Sequence, residues 1–356
     1  MKLIKRCHLK LRIPFRTAKD EQHADGGVAG LGHGRTLLGA NTVDDLPVEV
    51  TALCDTKEDA LRRVAAEHGI KQTMTSFDEL CDTDVDIIGI YTPGPLHAEQ
   101  ILKALAAGKH VMVTKSMVYT FDEVESVIEA VDRSDRVLMV TQTLRGRYDF
   151  IEAKRACDAG EIGELFMAEA HYVHDLRRVY DGSPWRVQMP QDLILGGACH
   201  PIDLLKWFMG DIEEVHCYGL RGGVSVDYPQ EDNFLINCRF ASGKIGRVAN
   251  ILGAIHPPGV PGNSLTVYGT KGTIRDGEKR LEPDWPSPTR TTRTTFPDAR
   301  GHYGEMIVML RHMADCVMNG TKPWVDVRDG ARIVSTGLAC WESMRSGQPV
   351  KVRNDF

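Results

Sequence analysis

An apolar lead followed by a glycine turn, Val28-Ala29-Gly30-Leu31-Gly32-His33-Gly34-Arg35, is the stretch of this chain whose residue types point most directly to chemistry. Gly30 lets a strand turn tightly, and Gly32 lets backbone amides approach a pyrophosphate at the N-terminus of a helix beginning near Arg35. Both tasks need a missing Cβ. The apolar run Val48 to Cys54 ends at Asp55, 25 residues after Gly30, close to the spacing at which a carboxylate hydrogen-bonds an adenosine ribose. Such a carboxylate favours NAD because it repels a 2′-phosphate, while Lys57, two residues on, leaves NADP open. The cofactor set read from this region is Gly30, Leu31, Gly32, His33, Gly34, Arg35, Asp55 and Thr56. The fingerprint is imperfect: its third glycine should fall at position 35, where the chain has arginine, and Gly34 lies one residue early.

Positioning such a turn requires a parallel sheet, and the pattern supplies one. From residue 27 to about 145, short apolar runs alternate with amphipathic stretches, the mark of strands joined by crossover helices. Strands are expected at 85–91, 110–113 and 137–140, with a helix over 98–107. Thr120 with Glu123, and Ser76 with Glu79, have capping-box spacing at two helix starts. This predicts a doubly wound α/β domain over 27–149 whose active edge is the carboxyl end of its strands. The first strand is thin, because Asp25-Gly26-Gly27 stands where apolar residues are expected.

Beyond residue 150 the texture changes. A helix over 150–159, a strand over 164–174 and a helix over 199–209 precede strand-like runs at 213–219, 232–240, 244–252 and 264–268. Glycine turns between the runs imply a second α/β domain over 150–356 with a large, mostly antiparallel open sheet. Pro283 to Pro297 reads as a surface loop, and helices are expected over 302–319 and 327–346.

Composition excludes several function classes. A chain of 356 residues suits two domains. A net charge of −6 argues against nucleic acid as the main ligand, since phosphate neutralisation needs a basic face. No apolar run approaches the roughly 20 residues of a membrane span. Nine cysteines without a Cys-x-x-Cys pair are expected to be reduced thiols in a cytoplasm. Residues 1–26 are set apart as a variable extension, basic through Lys2, Lys5, Arg6, Lys10, Arg12, Arg16 and Lys19 and lacking the apolar core of a secretory signal.

Three ordered motifs carry more specific information: Tyr91-Thr92-Pro93-Gly94-Pro95-Leu96-His97-Ala98-Glu99, then Ala107-Gly108-Lys109-His110-Val111-Met112-Val113-Thr114-Lys115, then Gly196-Gly197-Ala198-Cys199-His200-Pro201-Ile202-Asp203. From about Val28 to Val352 the chain resembles the glucose-fructose oxidoreductase, inositol dehydrogenase and MocA (Gfo/Idh/MocA) family. The resemblance implies NAD(P) dependence, a sugar, cyclitol or sugar-derivative substrate, and association of copies into a homodimer or homotetramer through the outer face of the second sheet. It also implies that Lys115 and His200 are the catalytic pair and that Thr92, Pro93, His97 and Lys115 adjoin the cofactor.

The chain departs from the family pattern at each catalytic residue. Thr114 and Ser116 flank Lys115 where the family has glutamate and proline. A non-proline peptide pays about 2.5–4 kcal/mol to be cis, so Lys115-Ser116 is expected to be trans. The family's aspartate four residues before the histidine is Gly196 here. Oxidising a secondary alcohol needs a group to take the departing proton; a lysine desolvated beside a cationic cofactor, with a lowered pKa, and a histidine both suit that role.

Around this pair, Trp185 and Arg186 offer an aromatic face and a donor fork to a polyhydroxylated ring. His174, Asp175 and Arg177 end a strand where the family places substrate contacts, and Arg145, Arg147 and Tyr148 lie at the domain junction. Asp203 is expected to contact substrate hydroxyls or to orient His200. His171, His174 and Asp175 with His200 could supply a metal, but positions 171 and 174 point to opposite strand faces, and no metal is expected. Cys199 reads as a small buried thiol. Two rival readings stay open: a redox-neutral glycoside-cleaving enzyme using tightly bound NAD transiently, and a non-catalytic dinucleotide-binding sensor.

Overall fold

The computed structural model of the protein describes residues 23–183, 185–188, 192–282, 292–295 and 302–356. Residues 1–22 of the basic extension and most of the proline-rich stretch lie outside the described residues.

Strands β1 (Ala24–Ala29), β2 (Val48–Cys54), β3 (Gln72–Met74), β4 (Ile87–Ile90), β5 (His110–Thr114) and β6 (Leu138–Thr141) form a parallel sheet in the order β3-β2-β1-β4-β5-β6. Helices α1 (Glu58–His68), α2 (Phe77–Cys81), α3 (His97–Ala106) and α4 (Phe121–Asp132) make the crossovers. Strand order reverses between β1 and β4, which opens a crevice at the carboxyl edge.

Period-two alternation explains the layering. Val28, Ile87, Met112 and Met139 enter one core, whereas Ala29, Ile88, Ile90, Val111, Val113, Leu138 and Val140 enter the other. The glycines of the thin first strand have a packing reason. A Cβ on Gly27 would lie 2.8 Å from Leu80 of α2 and 3.3 Å from Val85. The strand begins at Ala24, so residues 24–26, grouped with the extension by pattern alone, lie in the sheet.

Of the two capping boxes, one forms. The Glu123 amide donates to Thr120 Oγ1 at 3.2 Å, and the Glu123 carboxylate accepts from the Thr120 amide at 3.0 Å. Ser76 makes no side-chain cap bond, at the start of a helix only five residues long.

After α5 (Tyr148–Asp158) and β7 (Leu165–Val173) come α6 (Arg177–Gly182), α7 (Trp185–Gln188) and α8 (Cys199–Met209), the last preceded by a π-helical turn over Ile194–Ala198. Strands β8 (Ile212–Leu220), β9 (Asn233–Phe240), β10 (Ile245–Ile251), β11 (Asn263–Gly269), β12 (Gly272–Arg275), β13 (Glu278–Leu281) and β14 (Thr292–Thr295) follow. The chain closes with α9 (His302–Asn319), α10 (Val327–Ser346) and β15 (Val350–Lys351).

The second sheet has nine strands in the order β14-β13-β12-β11-β7-β10-β9-β8-β15, antiparallel except where β7 meets β10. Strand β14 corrects the expectation of an unbroken loop over 283–297, because Thr292–Thr295 pairs with β13. Cys217, Ile236, Cys238, Phe240 and Val248 bury one face of this sheet in a core shared with α8 and α10.

Helix α9 does not stay with the second sheet. Its Met306, Met309, Leu310 and Met313 pack into the core formed by Leu37, Leu38, Tyr91, Met112 and Met139. A segment from the end of the chain thereby completes one face of the N-terminal sheet.

Candidate functional site

The glycine turn leaves β1 at the crevice. Gly30 has φ +89°, and a Cβ there would lie 2.5 Å from the Tyr91 carbonyl oxygen, so only glycine suits the position. Around Gly32 an added Cβ meets nothing within 4 Å, leaving the turn open to a ligand. Gly34 resolves the imperfect fingerprint. A Cβ there would lie 2.9 Å from both Val28 and Tyr91, so Gly34 performs the close helix-to-strand packing expected of a glycine at 35. The following helix, Gly34–Thr42, is 3₁₀ rather than the regular helix anticipated near Arg35, and Arg35 itself is exposed. Alanine at Gly32 should leave thermal unfolding unchanged and weaken cofactor binding. Alanine at Gly34 should lower the unfolding temperature, and the two variants compared by calorimetry and cofactor titration check this division of labour.

Asp55 stands where β2 ends. Its carboxylate accepts from the Leu31 amide at 2.7 Å and from the Lys57 amide at 2.9 Å, which ties it to the turn. Thr56 is exposed beside it, and the His33 ring lies 5.8 Å from that of Tyr91. After β4, Thr92 donates to Gln100, and Pro93 begins the turn into α3. His97 is buried with Nε2 3.0 Å from the Thr92 carbonyl and Nδ1 2.7 Å from the Ser116 carbonyl. It clasps the turn after β4 to the segment after β5, and burial holds its pKa down.

Lys115 follows β5 on the same edge. The Lys115-Ser116 peptide is cis, which corrects the trans expectation. That expectation weighed the bare amide alone; in the fold Ser116 is buried, its carbonyl faces His97 and its hydroxyl donates to the Val118 carbonyl at 3.1 Å. Burial first of all holds the Lys115 ammonium below the ordinary lysine range, with a lesser contribution from the neighbouring Arg186 charge and against an opposing effect of Cys199.

Opposite this edge stands the start of α8. His200 is buried, with Nδ1 3.0 Å from Gln142 Oε1, and its ring lies 5.2 Å from the Tyr172 ring. His174 continues the row, 4.5 Å from Tyr172. Arg186, in α7, is desolvated beside Tyr119, Tyr180 and Tyr172, and its pKa falls for the first reason. Cys199 is buried, and desolvation pushes its thiol up to about 12, so it is no nucleophile near neutral pH. The fold therefore brings Lys115 near Cys199 and Arg186, and sets His174 and His200 against Tyr172, so the four side chains share one neighbourhood.

Other expected substrate residues are engaged elsewhere. Asp203 is buried and accepts both donors of Arg145, at 2.8 and 2.7 Å, while Arg145 also donates to the Trp324 carbonyl. Each side chain of that pair neutralises a charge the other would leave buried. Arg147 pairs with Asp149 and stacks over Phe150, 4.2 Å from its ring centre. Asp175 and Arg177 pair with each other two residues apart, and Arg177 is exposed. The Trp185 side chain lies outside the described residues. Gln142 and Tyr172 escaped the sequence reading. Tyr172 had a signal, since it lies two residues before His174 and so shares its strand face; Gln142, one residue past β6, had none in its type.

Among the described residues no helix is long and apolar enough to cross a membrane. The Gfo/Idh/MocA oxidoreductase-family models match the chain twice: the NAD-binding Rossmann fold over residues 26–142 and the C-terminal alpha/beta domain over residues 154–352. The scyllo-inositol 2-dehydrogenase (NAD(+)) of Bacillus subtilis is 26% identical over 333 residues, covering 91% of this chain and 95% of that protein. An oxidoreductase from Agrobacterium radiobacter, solved with NAD+, L-tartaric acid and magnesium, superimposes with a TM-score of 0.82 at 19% identity over 92% of this chain and 98% of that one. Levoglucosan dehydrogenase with NADH and levoglucosan gives 0.81 at 20% identity, over 94% of this chain and all (100%) of that one.

Proposed function

The chain belongs to the Gfo/Idh/MocA oxidoreductase family, and on that premise we propose that it is an NAD-dependent dehydrogenase acting on a secondary hydroxyl of a sugar or cyclitol. The observation that carries this reading is the constellation at the carboxyl edge of the parallel sheet, where Lys115 follows β5, His200 meets Gln142 just past β6, and the glycine turn after β1 is tied to Asp55 at the end of β2. The open space over Gly32 and the tied Asp55 carboxylate fit a dinucleotide. The Gly30–Gly34 turn would hold its pyrophosphate and Asp55 its ribose. Bound there, NAD supplies the acceptor for the hydrogen and two electrons that leave the substrate carbon.

The chain's own side chains manage the proton and the pose. The hydroxyl proton passes to His200 or to the neutral amine of Lys115, and the same groups return it in the reducing direction. Arg186 and His174 donate to neighbouring hydroxyls and so keep the reacting carbon in register.

Incubating the protein with NAD and a panel of free sugars, cyclitols and aryl glycosides tests the reading. Net NADH with a free sugar or cyclitol is expected. Aglycone release without net NADH would overturn it in favour of redox-neutral cleavage, and cofactor binding without turnover on any member would favour a sensor. Asp55→Ser should lower the NAD over NADP preference, read as the ratio of kcat/KM values, by about tenfold or more, the worth of a lost charged hydrogen bond.

Copies of the chain associate, on this reading, through the outer face of the nine-stranded sheet. Tyr218, Leu220, Leu235 and Ile245 stand exposed there, an apolar patch of the kind that marks an interface. Light scattering should give a dimer or tetramer, and Leu235→Glu should reduce the mass to that of one chain. A reducing, cytoplasmic setting suits the eight described cysteines, all buried free thiols.

A further inference from the structure

Resting on the dehydrogenase reading, we propose that Gln142 is a positioning residue that sets the tautomer of His200, through an amide oxygen that replaces the carboxylate absent at Gly196. Gln142 directly follows β6 and is 1% exposed. Its Oε1 accepts from His200 Nδ1 across the two lobes at 3.0 Å.

A chain of donors and acceptors decides which way the amide points. The Cys199 thiol donates to the Gly197 carbonyl, with sulfur and oxygen 3.9 Å apart. Burial keeps that thiol protonated beside the Gln142 side chain. A thiol whose hydrogen is given to Gly197 presents only an acceptor sulfur to the neighbouring amide, which suits the amide nitrogen and not its oxygen. The amide oxygen is then left for His200, Nδ1 must carry the hydrogen, and the basic lone pair sits on Nε2.

The backbone holds this amide in place. Gln142 is followed by a 3₁₀ turn, Thr143–Gly146, whose Arg145 amide donates to the Gln142 carbonyl at 3.0 Å. The Arg145 side chain grips Asp203 one turn along α8 from His200. One short turn therefore meets α8 at two points and fixes the angle at which the imidazole is presented.

A neutral acceptor differs from a carboxylate in its consequence. Both orient the ring, but a carboxylate also stabilises the imidazolium and raises its pKa. A neutral glutamine orients the ring without that added stabilisation of the imidazolium. Among the described residues, the ionisable groups near it include Tyr172 of β7, Cys199 and the Arg145-paired Asp203 of its own helix, Lys115 of the first lobe, Arg186 of α7 and Glu305 of α9.

The test uses the full chain labelled with ¹⁵N-histidine, without substrate, with the His200 signals assigned by their loss in His200→Asn. The ring nitrogen shifts should report the Nδ1–H tautomer in the wild type and its loss in Gln142→Leu. Gln142→Glu should raise the ring pKa, and with it the acid limb of kcat/KM, by about one pH unit or more. Gln142→Leu should also lower kcat by about tenfold at little change in KM, part of what a positioned base contributes. An Nε2–H tautomer in the wild type, or ring shifts unchanged in Gln142→Leu, overturns the proposal. Should the leucine variant not fold, an unmoved ring pKa in the near-isosteric Gln142→Glu overturns it equally. A wild type that oxidises no polyol would sink the dehydrogenase reading alone, because the tautomer is read without turnover.

Discussion

Lys115→Met lowers kcat/KM by about 10²- to 10⁴-fold, the range a positioned acid or base contributes, while NAD binding measured by fluorescence titration stays close to that of the wild type. Methionine keeps the length and apolar stem of lysine and removes only the amine. The separation of the two readouts follows from the fold, since the glycine turn and Asp55 are organised by β1 and β2, whereas Lys115 stands at the end of β5. A sign for pH dependence follows as well. Burial and then Arg186 hold the Lys115 ammonium below the usual lysine range, so its neutral form persists to lower pH than that of an exposed lysine. Activity should fall as pH drops through that lowered pKa, because the ammonium cannot take a proton. Lys115→Arg should abolish that limb along with most of the activity, since a guanidinium does not deprotonate in proteins. A Lys115→Met enzyme with wild-type kcat/KM would remove Lys115 from the chemistry.

Asp203→Asn costs about 3–5 kcal/mol of stability, the usual result of breaking a buried ion pair from one side. The Arg145 guanidinium donates to both oxygens of Asp203 and is largely buried, so the substitution leaves its charge opposite a neutral amide. The urea midpoint followed by tryptophan fluorescence should shift down strongly. Glu125→Gln, which breaks the exposed pair with Arg353, should barely move it. A similar midpoint for both variants would mean that the Asp203 pair contributes no more than a surface contact.

Local pattern and long-range partnership were unequally legible in the sequence. Helix α8 runs over the residues that its apolar spacing marked, Cys199–Met209, and α9 and α10 also keep their expected bounds. The parallel sheet was readable because buried strands and crossover helices have different periods. What the pattern lacked was the identity of partners. The type and helix position of Asp203 allow a substrate contact or the orientation of His200, but they say nothing of its partner Arg145, 58 residues away, the same separation as Gln142 from His200. Periodicity reports that a side chain is buried and says nothing of which distant group it meets. The packing demand on Gly34 is hidden for a related reason: it is set by Val28 and Tyr91, and only the packed structure brings these to it.

The placement of α9 has a consequence for how the protein is made. The face of the first sheet that carries Met112 and Met139 is complete only when Met306, Met309 and Met313 arrive. At ordinary ribosomal speeds of about 5–20 residues per second, the nascent chain carries that face uncovered for roughly 10 to 35 s after β6 has been synthesised. During this interval the first half of the molecule depends on the solubility of an unfinished core. A fragment ending after β6 should therefore partition into aggregates, and the two halves of this protein are units of architecture that mature together.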